Sequence, residues 1–198
     1  MNFAIKIISK GNAGLVLFVG SVQWLMMMII LESFQPDYNS SLHYVSSLGA
    51  GTTAIIYNIS IFLFGLSVVI SSSILYKTLG GKIFPLTLLI TGLLVMGVGL
   101  FPENVRPIHG YVTAFAFLFA VFAPILSFKA LKPPLSYISI IIGLISLTLL
   151  IVFLPYLGLP AESTIQILGF AKGTLERMII YPLMFWMLSL SVSLFNKS

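Results

Sequence analysis

Six stretches of about twenty mostly apolar residues, the length a helix needs to cross a hydrocarbon core, recur along this chain and leave it few folds to choose from. They cover approximately 13–32, 51–76, 83–101, 108–127, 137–157 and 178–195. Water cannot meet backbone N–H and C=O groups inside a bilayer, so each stretch must satisfy its own as a helix. Charge agrees: 8% of the 198 residues are charged and 59% are hydrophobic, whereas soluble chains carry roughly a quarter charged residues. The expected architecture is an all-α membrane protein, a six-transmembrane-helix bundle forming one polytopic membrane domain over 1–198. Its partner is then the lipid bilayer and its place the cell membrane, as a multi-pass protein. The opening MNFAIKIISKGNAG begins as a secretion leader does, but no small-residue cleavage site follows the long apolar run. It is expected to stay as the first span.

The net charge of +5 arises from ten Lys and Arg against five acids. They are scattered singly, without the basic stripe that nucleic acid requires, so no nucleic-acid partner is expected. The chain has no cysteine, which removes disulfides, thiolate metal sites and cysteine nucleophiles. No Asp, Glu, Lys, Arg or His falls near the middle of a span, where ion-coupled transporters keep ionisable groups. The mid-span polar residues Gln23, Asn58, Thr91 and Thr113 are expected to hydrogen-bond between helices, and Gly92, Gly97 and Gly99 to let helices approach closely.

Lysines set the orientation through the positive-inside bias. Lys6, Lys10, Lys77, Lys82, Lys129, Lys132 and Lys197 all fall on one side of an even number of spans, so both termini are expected to be cytoplasmic. The other side receives all the acids (Glu32, Asp37, Glu103, Glu162, Glu176), both histidines, and Arg106, Lys172 and Arg177. The bias explains the lysines but not this second gathering, which predicts a polar cap on the outer face.

Three stretches carry it. In FPENVRPIHGY, Phe101 to Tyr111, Pro107 suits the first turn of the fourth helix, where a missing N–H costs nothing. His109 then lies in that first turn, and Glu103 and Arg106 are spaced to pair. The connector QPDYNSSLHYVSSLGAG carries His43 among apolar residues that should pack it down over the bundle, with Gly49 and Gly51 turning into the second span. In GTLERMIIYPLMFW, Glu176 and Arg177 lead into the last span and Pro182 should kink it or mark a broken entry. The preceding GLPAESTIQILGFAKG alternates polar and apolar residues and reads as a short interfacial helix.

YVSSLGA, YNISIFLFG, GLFPENVRPIH and GTLERMIIYPLMFW occur in that order, and together the chain resembles domain-of-unknown-function family 998, small prokaryotic six-helix membrane proteins. The resemblance runs from about Gly14 to Leu194. It implies the six-helix fold and a set of outer-face positions; it implies no activity. The family's acid beside Ser-Leu-Gly is replaced here by Ser47, which weakens a carboxylate role at that point.

Three functions fit these residues. A b-type haem for electron transfer would take His43 and His109 as axial iron ligands and Arg106 and Arg177 at its propionates, with Met26, Met27 and Met178 as spare thioethers. An enzyme acting on a lipid or polyprenyl-linked substrate would use Glu103, His109, Glu176 and His43 for acid–base work or to hold a divalent metal, and the arginines for an anionic head group. A non-catalytic carrier, lipid-binding scaffold or membrane-complex subunit, alone or as a homo-oligomer, needs only the pocket.

Overall fold

The structure, a computed structural model, describes residues 9–157, 159 and 163–195. Among them are six helices long and apolar enough to cross a membrane: α1 Lys10–Phe34, α2 Ala54–Thr78, α3 Ile83–Leu100, α4 Ile108–Leu126, α5 Leu135–Phe153 and α6 Lys172–Phe195. The starts follow local chemistry. Ser9 caps α1 by accepting the Asn12 N–H at 3.1 Å, and Pro107 and Pro134 stand at the N-caps of α4 and α5.

Helices adjacent in sequence are adjacent in space, and α6 returns to pack beside α1, so the six form a closed ring. Neighbours run antiparallel. Ser71 near the end of α2 donates to the Ala13 carbonyl at the start of α1, 2.9 Å, while Arg177 at the start of α6 reaches Glu32 at the end of α1. The α2–α3 approach is nearly backbone to backbone: a Cβ on Gly92 would lie 2.9 Å from the Gly65 carbonyl, the small-residue device of membrane helix pairs. Large apolar side chains such as Ile55, Ile59, Leu63, Ile141 and Phe185 face outward, as a lipid-facing surface requires.

The mid-span polar residues divide. Gln23 bonds across to Ser60 at 2.6 Å, as expected. Asn58 instead donates to Gly49 in the preceding connector, and Thr91 to the Thr87 carbonyl of its own helix. Two further expectations are corrected. The last helix begins at Lys172, six residues ahead of the span expected from about 178, and continues as helix past Pro182 without a broken entry; Lys172 and Arg177 of its first turns are bonded to neighbouring loops. The described part of the segment before it is no interfacial helix. Gln166–Ile167 (β1) pairs antiparallel with Phe170–Ala171 (β2), and Leu168 and Gly169 both take positive φ, as a tight two-residue hairpin demands. An alternation of period two was a strand signal. Glu162, Lys6 and Lys197 lie outside the described residues.

Candidate functional site

The connectors α1–α2, α3–α4 and α5–α6 meet at one end of the ring. The first is the longest and lies down on the helices, with Val45 and Leu48 essentially unexposed in a short 3-10 turn, Val45–Gly49. Gln35, just past α1, gathers its far end by accepting from the Thr52 and Thr53 hydroxyls at 3.0 and 3.1 Å.

Helix α6 supplies the anchor. A Cβ on Gly173 would lie 2.2, 2.5 and 2.8 Å from the carbonyl oxygens of His43, Ser40 and Ser41, so only glycine lets the connector backbone press on this first turn. Thr174 donates its N–H to the Ser41 carbonyl at 3.1 Å, one of the orphan donors of a helix start. The Arg177 guanidinium then ties three elements together. It donates to Glu32 Oε1 (2.7 Å from Nη2), to the Ser40, His43 and Gly173 carbonyls, and to the Tyr38 hydroxyl. Tyr38 passes its own hydrogen to the Tyr44 carbonyl at 2.9 Å, and Tyr44 donates to the Tyr156 carbonyl at 2.7 Å. Burial is the main force raising both phenols above their ordinary range; the carboxylates of Glu176 and Glu103 add to it at Tyr44. Both remain donors.

Beside this clamp lies a cavity of about 580 Å³. Phe153, Tyr156 and Leu157 at the end of α5 and Tyr111 and Ala114 of α4 give it apolar walls; Tyr44, Ser46, Glu103, Arg106, His109, Thr113 and Glu176 give it polar ones. Glu103 is 5%, His109 6% and Glu176 3% exposed, so three ionisable groups are held out of water around one space. Glu103 is bonded to Arg106 at 2.9 Å, the pair the spacing suggested, and Arg106 also donates to the Leu159 carbonyl at 2.8 Å. His109 Nδ1 lies 2.7 Å from the Phe101 carbonyl. A carbonyl only accepts, so Nδ1 carries the hydrogen, and Nε2 of the neutral ring accepts from Thr113 Oγ1 at 3.3 Å. Glu176 Oε2 accepts the Val45 N–H at 2.6 Å.

Of the six residues singled out in the sequence, the cavity brings together Glu103, Arg106, His109 and Glu176. Arg177 is not in its lining; its donors are spent on the connector. Nor is His43, whose ring lies against Tyr38 with Nδ1 accepting the Asn39 N–H at 2.9 Å. Haem ligation by the pair is not supported, and no group of three or more His, Asp or Glu able to hold a metal ion occurs among the described residues. Sequence reasoning missed Tyr44, Tyr156 and Ser46, and it expected Thr113 to bond between helices, whereas Thr113 bonds to His109 of its own helix and lines the cavity. Tyr44 had a signal, being an apolar anchor one residue from His43, but its side belonged to the cavity and that of His43 to the clamp.

A ring of six apolar helices with a partly polar cavity at one end defines a polytopic membrane protein. A family model described as "Protein of unknown function (DUF998)" matches residues 18–193, and the chain belongs to that family. No curated protein and no solved structure matches it.

Proposed function

We propose that this protein takes the polar head of a lipid-class amphiphile into the end cavity, with the lysine-bearing end of the bundle and both termini cytoplasmic. The observation that carries this reading is the cavity's composition: buried Glu103, His109 and Glu176 share one space with exposed and half-exposed apolar surface of α4. An amphiphile needs both kinds of wall, and concave sites that bind small molecules combine them. Gly110 provides the test. It lines the cavity, and a Cβ there meets no heavy atom within 4 Å, so Gly110→Phe can carry a ring at the cavity without a backbone clash at its Cβ. Lipid retained by wild-type protein through detergent purification, measured by native mass spectrometry, should fall in Gly110→Phe. Equal retention in both would sink the reading.

A second reading rests on Thr113. The helical threonines Thr78, Thr87, Thr91 and Thr148 bond the carbonyl four residues earlier at 2.9 or 3.0 Å. Thr113 instead gives its hydroxyl to a histidine that a carbonyl holds in one tautomer, the hydroxyl–base–orienter order of an activated nucleophile. Cleavage of an acyl ester on the bound lipid is the chemistry it offers. If wild-type protein hydrolyses fluorogenic long-chain esters no faster than Thr113→Val, that reading is removed and binding alone remains.

A further inference from the structure

We infer that the head group taken into the cavity carries a protonated amine, which binds the Glu176 carboxylate. This rests on the binding reading above and names the ligand class.

Besides its tyrosines, four ionisable side chains line the cavity, and Glu103 and Arg106 cancel one another through a 2.9 Å ion pair. Arg106 is further held by the Leu159 carbonyl. His109 spends its hydrogen on Phe101, so towards Thr113 it offers an acceptor. What remains is Glu176, 3% exposed. Its Oε2 takes the Val45 amide, and no hydrogen bond to Oε1 occurs among the described residues. The neighbouring cations are committed elsewhere. Arg177, next in sequence, is paired with Glu32 at 2.7 Å. Lys172, one turn earlier, has its ammonium over the Tyr44 ring and on the Ser163 carbonyl at 2.7 Å, and no ion pair joins it to Glu176 among the described residues.

A carboxylate withdrawn from water calls for a cation or strong donor. The remaining polar wall presents the free oxygen of Glu176 and the hydroxyl of Ser46, since His109 Nε2 already accepts from Thr113. An ammonium supplies up to three hydrogens and a positive charge to such a wall, and the rings of Phe153 and Tyr156 line the same space. A carboxylate or phosphate inserted at the same depth would meet Glu176 with like charge. The shared chemistry is an alkylammonium, from an aminophospholipid head or from a free long-chain amine.

The test uses the full chain in phosphatidylcholine nanodiscs. Dodecylamine, dodecanoate and dodecyl phosphate are titrated in turn, and a fourth arm adds phosphatidylethanolamine to the disc. Dodecylammonium should bind about tenfold or more tightly than either anion, the worth of one hydrogen-bonded charge. Glu176→Gln should abolish that preference while keeping an oxygen to accept the Val45 N–H. Binding of dodecylamine points to a free amine as the source, and retention of phosphatidylethanolamine alone to the lipid head; either supports the inference. The wild-type comparison needs no variant, so a misfolded Glu176→Gln would not leave the idea untested. Equal or tighter binding of dodecanoate or dodecyl phosphate overturns the amine assignment and leaves the cavity a lipid site. Binding of every probe unchanged in Gly110→Phe would instead overturn the cavity reading itself.

Discussion

Glu176 of α6 and Val45 of the α1–α2 connector meet at 2.6 Å, the carboxylate accepting the backbone N–H. One side chain therefore both pins the loop that roofs the bundle end and faces the cavity beneath it. Loop position and ligand site are joined at a single residue, and the two roles can be separated by choice of substitution.

Glu176→Gln should keep the loop in place, since its amide oxygen can still accept from Val45, and thermal unfolding in detergent should change little. Glu176→Leu leaves the Val45 N–H buried without a partner, which costs about 1–3 kcal/mol. A Leu variant as stable as the Gln variant would show that the bond at 2.6 Å does not hold the connector.

Arg177→Met should be far more damaging than Arg106→Met. Arg177 is 7% exposed and joins Glu32, the connector carbonyls and Tyr38; breaking a buried ion pair by removing one partner costs about 3–5 kcal/mol. The Arg106 side chain is 38% exposed and its pair with the buried Glu103 is partly screened by solvent, and Arg106 makes fewer bonds than Arg177, so its loss should cost less. Chemical or thermal unfolding of the two variants orders them directly.

The two histidines should separate by assay. His109 lines the cavity and His43 belongs to the clamp, so His109→Ala should lower amphiphile retention while His43→Ala leaves it intact and loses about 1 kcal/mol of stability. The absorption spectrum of protein from haem-replete cells should show no Soret band. A band that disappears in both variants would restore the haem reading.

How much of this was legible in advance depends on which force decided each element. The six spans were written in apolar length, because a bilayer leaves no other way to pair the backbone, and the Glu103–Arg106 pair was written in local spacing. The gathering of Glu103, His109 and Glu176 followed from counting spans. The division of labour between adjacent residues was not legible. Glu176 and Arg177 are neighbours in sequence yet point into different surroundings, as do His43 and Tyr44, because the rotation of α6 and the path of the connector are set by packing across the whole ring. The start of α6 was missed for a related reason: its charges count against a span in any hydropathy argument, and Lys172 and Arg177 take partners from segments outside the helix.

That packing makes Gly173 the sharpest test of the clamp. Three carbonyl oxygens, of Ser40, Ser41 and His43, converge on its Cα within 2.8 Å of where a Cβ would be, and backbone atoms cannot swing away as a side chain can. Gly173→Ala must push the connector off α6, stretching the Thr174 N–H bond to Ser41 and the Arg177 bonds to Ser40 and His43. In an ordinary helix the same change would stabilise by about 0.5–1 kcal/mol; here it should destabilise by about 1–3 kcal/mol, as overpacking does. It should also make the segment around Ser40 more open to protease in folded protein. Gly110→Ala, on open space in α4, is the matched control and should be neutral or stabilising. If the two alanine variants unfold alike, the connector is not seated on α6 and the roof of the cavity is not fixed by it.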